Sequence, residues 1–527
     1  MKRNIIFFSI IIFFFIFFLS PSYGKTKVVT ILGTADLQGL MEPQKVNLDM
    51  DGDGKKENHY FGGIARISTL IKRIKAQNNR VVVVSSGDDL MGRLFHFYKG
   101  RAIFSLLSKS GYDLMAPGNH EFDKGSSVLA SAMESADFLM LCSDLIISNP
   151  ALARKCKHYV IKDLNGIKVG FFSLMTTNFN EISAADDVVV EVDHEKVAER
   201  MIKLLKKKGA SVIVAITHQG LKEDMAIAKK VRGIDLIFGG HSHKFLKKIR
   251  FVGSTAIVNG GEQGFYIIKV DIPVNEQGSV MHKMIKMTAI PVDETVKADE
   301  NIEKLLQGFV TLLPDAVVLG TTYKPWDMRS ETLRQGESDV ADMINDLFRA
   351  KFKVQIVLNN AGAFRGKKIY PPGKITDVML DEIDQFKNCA ILFKLKGKYL
   401  QEILEHSAAN YGKGGFLQVS GIRYKINISK KPQIIKDGKV IQKGHRVEKI
   451  EIFENGILKP VNPEKEYLVL SNSFLVERAG DGYFWFRKYG TEFKNTYTTF
   501  SSLIACYLKR YGNLTPKGID GRIEVIK

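Results

Sequence analysis

Between Thr26 and about Val292, short runs of β-branched and apolar residues alternate with stretches of helical spacing. Val28–Leu32, Val81–Ser85, Val169–Ser173 and Val212–Thr217 are continuous apolar runs of strand length, which predicts strands buried on both faces. Leu114-Met115 and Ile234–Phe238 are further runs of this kind. Glu195–Lys208 sets Val197, Met201, Leu204 and Leu205 on one face of a helix. Strands and helices in alternation predict a layered α/β domain. A more polar stretch then carries a predicted helix, Asp299–Leu313, read as a connector. A second mixed α/β domain follows from about Gly320. The predicted division is a leader at 1–24, a first domain at 25–297, a linker at 298–319 and a second domain at 320–527.

The leader stands apart from this pattern. Lys2 and Arg3 precede an apolar run from Ile5 to Ile16, broken only by Ser9 and continuing to Leu19; Ser20, Pro21, Ser22, Tyr23 and Gly24 close it. A charged start, a short apolar stretch and small residues before a cut are the layout of a secretory signal. The run is shorter than the ~20 apolar residues of a spanning helix. Cleavage after Gly24 and export to the periplasm or cell surface are therefore expected, with no membrane span in the mature chain.

A chain of 527 residues exceeds one ordinary core. A hydrophobic share of 45% against 25% charged excludes a disordered chain. The formal charge of +19 suits an anionic substrate. Lys206–Lys208 and Lys247-Lys248 read as solvated faces, so no nucleic-acid partner is expected. Of the four cysteines, Cys389 and Cys506 read as buried small hydrophobes. For Cys142 and Cys156 the reading favours free thiols over a bridge, since a chain this large does not need one.

The chemistry lies at the strand ends. The first run leads into Gly33-Thr34-Ala35-Asp36-Leu37-Gln38, the second into Gly87-Asp88-Asp89, and the short third into Gly118-Asn119-His120-Glu121-Phe122-Asp123. Val212–Thr217 leads into His218, and Ile234–Phe238 into Gly239-Gly240-His241-Ser242-His243. Singly, each is an ordinary turn or cap. Five in order, each after a strand, predict convergence at one sheet edge. Mixed Asp, Asn and His donors suit a pair of divalent cations, zinc, manganese or similar, better than a thiolate site.

With these motifs the chain resembles the calcineurin-like metallophosphoesterases, and specifically the 5'-nucleotidase family. The resemblance implies a four-layer αββα sandwich for the first domain and a mixed α/β substrate-binding domain for the second. It implies one metal held by Asp36, Gln38, Asp88 and His243 and another by Asp88, Asn119, His218 and His241, with Asp88 as the bridge. The family's catalytic pair falls on His120 and Asp123. Where the family usually has His, this chain has Gln38, a weaker donor.

The resemblance extends to the second half through Leu333–Ser338, Asn359–Arg365, Gln385–Asn388, Gly415–Gly421, Ser471–Phe474 and Ala479–Tyr483. Arg334 and Arg365 suit bidentate phosphate binding. Phe386 and Phe474 match a pair that stacks on a nucleobase. Asn360 and Asp481 match nucleoside contacts. The family's glycine-rich Asn-Gly-Gly-Gly-x-Arg reads Asn-Ala-Gly-Ala-Phe-Arg here, and one extra residue separates Phe474 from Gly480-Asp481. The expected activity is hydrolysis of nucleoside 5'-phosphates by a metal-bridging hydroxide. Rival substrates on the same scaffold are UDP-sugars, cyclic nucleotides and thiosulfate esters. A rival of another class is an exported binding protein with a degraded site.

Overall fold

The computed structural model describes residues 26–48, 57–183, 185–436, 438–454 and 456–527. The leader expected at 1–24 lies outside the described residues. The strands Gln44–Leu48 and Glu57–Phe61 pair antiparallel.

The first half is built on two facing sheets. One orders its strands Lys286–Pro291, Tyr266–Val274, Lys27–Thr34, Val81–Ser85, Leu114–Met115, Leu139–Leu141 and Cys156–Lys157. The other runs Arg250–Val252, Thr255–Asn259, Leu236–Gly239, Val212–His218, Lys168–Met175 and Val160–Asp163. Strand periodicity explains the layering. Val29, Ile31, Val82 and Val84 face Phe171, Val214, Ile216 and Phe238 in the layer between the sheets. Their neighbours Leu32 and Val83 turn outward onto the helices Ile64–Gln77 and Arg101–Ser110. On the far side Phe172, Ile213 and Ala215 pack under His194–Lys207 and Leu221–Lys230. The result is the four-layer αββα sandwich. The strand ends do not share one sheet edge, as expected for an open sheet; three come from the first sheet and two from the second.

The predicted connector is a helix, Glu300–Thr311, capped by Asp299, whose side chain accepts from Asn301 N and Ile302 N. Ile302 and Leu306 bury themselves in the first half's outer core, so the segment packs rather than merely links. In the second half a five-stranded sheet orders Leu417–Ser420, Ile356–Asn360, Glu466–Asn472, Ala390–Lys396 and Thr491–Asn495, beside a four-stranded sheet that ends in Ile523–Ile526. One core containing Trp326, Phe348 and Trp485 unites them.

The cysteine expectations need correction. Cys142 and Cys156 form a disulfide, with Cα atoms 5.6 Å apart. The parallel register Met140↔Cys156 brings them together, a relation that a 14-residue separation in sequence does not reveal. Cys389 is half-buried and Cys506 is exposed, so neither is the buried residue expected.

Candidate metal centre and substrate cavity

The polar groups at the strand ends meet where the two sheets converge. Asp36, Gln38, Asp88, His241 and His243 all have positive φ, between 54° and 71°. For residues with a Cβ this backbone is costly and marks a site whose surroundings over-determine it. Gly118 must be glycine, because a Cβ there would lie 2.2 Å from Asp88 Oδ1.

Two donor clusters share Asp88. Single donor atoms of Asp88, His218 and His241 lie within 4.8 Å of one another, as do those of Asp36, Asp88 and His243. His218 Nε2 is 3.1 Å from Asp88 Oδ2, and His243 Nε2 is 3.3 Å from Asp36 Oδ1. Asn119 is buried, and its Oδ1 has no hydrogen-bond partner. An orphaned buried acceptor is costly unless a cation or donor completes it. Oxygen and imidazole donors, one of them an orphan acceptor, fit divalent cations.

Gln38 sits among these donors. Its Nε2 faces His243 Nε2 at 3.0 Å, and its Oε1 accepts from Lys367 Nζ. Lys367 also donates to Glu262, and Glu262 approaches His243 Nδ1 at 3.2 Å. Neither Lys367 nor Glu262 was expected from the sequence. Their only signals were position, Glu262 just after Gly260-Gly261 and Lys367 two residues after Arg365.

Glu121 belongs to the Gly-Asn-His-Glu motif but carried no expected role. Its buried carboxylate accepts four backbone N–H groups: Asp88 at 2.8 Å, Asp89 at 2.7 Å, Leu90 at 3.0 Å and Gly118 at 2.6 Å. It cradles the turn that presents Asp88. Burial, and then the charge of Asp88, raise the Glu121 carboxyl to about 7.

His120 Nδ1 lies 2.8 Å from Asp123 Oδ2. Burial disfavours the imidazolium, but Asp123 and Asp88 outweigh it and raise its affinity for a proton. The ring stacks on Phe386 at 5.6 Å and 20°.

A cavity of about 330 Å³ opens from this point between the two halves. Asn119, His120 and Asp123 form one wall. Arg334, Asn360, Arg365, Phe386, Phe474 and Asp481 line it from the second half. Arg365 is buried with its Nε unpaired. Burial, and then Arg334 beside it, pull this guanidinium down to about 10, so the pair is set for an anion. Its Cζ lies 5.3 Å from the Phe386 ring centre. Asn360 Nδ2 donates to Asp481 Oδ2 at 2.8 Å. Phe474 packs on Gly480, where any Cβ would meet its ring at 2.4 Å. Arg478, from the segment with the extra residue, also lines the cavity and donates to Ser183 O across it; the sequence reading missed it.

Residues 29–245 match the family model for the calcineurin-like phosphoesterases, and residues 318–488 match that for the 5'-nucleotidase C-terminal domain. The chain is 29% identical over 511 residues to the trifunctional nucleotide phosphoesterase protein YfkN of Bacillus subtilis (strain 168), covering 88% of this chain but only 34% of that protein. It is 26% identical over 557 residues to the snake venom 5'-nucleotidase of Gloydius brevicauda, covering 96% and 90%. Among solved structures, the 5'-nucleotidase precursor of Thermus thermophilus matches with a TM-score of 0.83 at 26% identity, covering 95% of this chain and all of that one.

Proposed function

Because the chain belongs to the 5'-nucleotidase family of calcineurin-like metallophosphoesterases, a family of metal-dependent hydrolases, we propose that it removes phosphate from nucleoside 5'-phosphates outside the cytoplasm. One observation carries this reading: the His120–Asp123 pair and six groups suited to phosphate, nucleoside and base line a single cavity.

In this reading Asp36, Asp88 and His243 would hold one divalent cation, with the Gln38 amide against His243 at its edge, and Asp88, Asn119, His218 and His241 would hold a second. Zinc, manganese or a similar ion suits these donors. Bound metals supply Lewis acidity to the phosphoryl group and lower the pKa of the attacking water. Arg334 and Arg365 grip the phosphate, Phe386 and Phe474 hold the base, and Asn360 and Asp481 orient the nucleoside. His120, with Nδ1 held by Asp123, uses Nε2 to stabilise the developing charge or protonate the leaving oxygen. Export is supported by the charged and apolar leader at 1–24 and by the Cys142–Cys156 bond, since disulfides persist in oxidising compartments. Among the described residues no helix is long and apolar enough to cross a membrane.

The test is a substrate panel on the purified mature chain with manganese or zinc. Nucleoside 5'-monophosphates should give the highest kcat/KM, and Phe386→Ala or Phe474→Ala should raise KM for them. A higher kcat/KM for UDP-sugars, cyclic nucleotides or thiosulfate esters would overturn the substrate assignment. The Bacillus subtilis relative is named as a trifunctional nucleotide phosphoesterase, so the panel includes nucleotide esters other than the 5'-monophosphates.

A further inference from the structure

Away from the cavity, the second half gathers acidic groups around the turn that enters its last strand. Glu337, Asp342 and Asp520 each bring a carboxylate oxygen within 4.8 Å of the others. Glu337 is fixed in place: Oε1 accepts from Asp520 N at 2.6 Å and Gly521 N at 3.1 Å, and Oε2 from Ile523 N at 3.2 Å. Oε2 keeps a lone pair for a further partner.

Asp342 is the unusual member. It is 3% exposed, and neither of its carboxylate oxygens takes part in a hydrogen bond. Its counter-charge is Arg522, with Nε 3.4 Å from Oδ1. That guanidinium is shared, with Nη1 at 3.0 Å from Asp346 and Nη2 at 2.6 Å from Asp520. Arg423 adds a bond to the Asp520 carbonyl at 2.9 Å. Asp342, Asp346 and Asp520 therefore share the one guanidinium of Arg522, with Arg349 and Arg423 lining the adjoining cavity. A buried carboxylate without hydrogen bonds is costly, and a cation or a proton shared with Glu337 relieves that cost.

We propose that Glu337, Asp342 and Asp520 form a structural site for a calcium-class divalent cation, separate from the catalytic centre. Calcium takes oxygen ligands at about 2.3–2.6 Å, so carboxylate oxygens up to roughly 5 Å apart can share one ion. Exposed Asp520 leaves room for water to complete the shell. The ion pins the turn 520–523 to the first turn of the helix Asp339–Phe352. Beyond that turn, Ile523–Ile526 pairs in parallel with Ile422–Asn427, so the ion secures the chain's last strand.

The experiment uses the full mature chain, stripped of metal, with calcium alone. Millimolar calcium should raise its unfolding temperature by about 2–4 °C, a rise that comes from binding to the folded state. Terbium should bind with luminescence that calcium displaces. Both effects should persist in Asp88→Asn, which disables the catalytic centre, and vanish in Asp342→Asn and Asp520→Asn. Should Asp342→Asn fail to fold, Asp520→Asn at an exposed position decides. No calcium effect in the parent chain, or an effect kept in Asp520→Asn, overturns the proposal. An effect lost in Asp88→Asn overturns it equally, by assigning the ion to the catalytic centre.

Discussion

Lys367 Nζ lies 2.6 Å from Gln38 Oε1, joining residues 329 apart in sequence and from opposite halves of the molecule. An ammonium group only donates, so Lys367 fixes the Gln38 amide with its oxygen toward the second half and its nitrogen toward His243. The position where the family usually carries an imidazole is thus a neutral amide tied to a cation.

That relation bears on metal affinity. Gln38→His should tighten the cation position that includes Asp36 and His243, because imidazole is the stronger donor. Gln38→Ala should loosen it by about 10–100-fold, the usual scale for groups that complete or orient a metal site, and leave the other position intact. Titration of metal-stripped protein with manganese, followed by calorimetry, checks both. Equal affinities across the three proteins would reduce Gln38 to a turn residue.

His120 can be separated from metal binding. His120→Asn should keep the metal content and lower kcat by roughly 10²–10⁴-fold, the range for a positioned acid–base group. Asp123→Asn should cost less, since it removes only the partner that orients and charges the ring. Metal analysis beside steady-state kinetics reads both effects, and an unchanged kcat in His120→Asn removes the residue from the chemistry.

Glu121 acts through Asp88. Glu121→Gln replaces one accepting oxygen by an NH₂ group that faces backbone N–H donors, and since each oxygen accepts two of them, two of the four bonds turn repulsive. The loss of a buried charged acceptor costs about 1–3 kcal/mol or more. The turn that presents Asp88 should shift, weakening both cation positions together, whereas Gln38→Ala weakens one. Simultaneous loss at both positions, with far-ultraviolet circular dichroism unchanged, is the expected signature.

Much of this was legible in the sequence because glycine-flanked Asp, Asn and His at successive strand ends admit few alternatives. Asp36, Asp88, Asn119, His218 and His241 announce themselves by residue type and order. The pairing of strands does not. Val81–Ser85 and Val212–Thr217 look alike as apolar runs, and nothing in either says that they belong to different sheets. The Cys142–Cys156 bond depends on a register between two- and three-residue strands too short to show a pattern. Lys367 and Glu262 are charged residues in loops, with no motif of their own. Only the approach of the two halves brings Lys367 to Gln38 and Glu262, and only the fold of the first half brings Glu262 to His243.

The last prediction concerns acid stability and a residue outside the metal centre. His406 is buried, and its Nε2 lies 2.6 Å from the Asp481 carbonyl, to which it donates. Burial is the largest influence and depresses its pKa to about 4, although the bond to Asp481 pulls the other way. The unfolded chain, near the ordinary 6.5, then binds a proton before the folded chain does. Stability from this group is full above about pH 6.5 and falls as pH drops toward 4. At pH 5 the loss is about 2 kcal/mol by proton linkage. His406→Gln keeps a donor for the Asp481 carbonyl and removes the titration. In an Asp88→Asn background, where metal loss does not contribute, urea unfolding at pH 7 and pH 5 should show a drop smaller by about that amount in His406→Gln. An equal drop in both proteins would mean that His406 is protonated in the folded state at little cost.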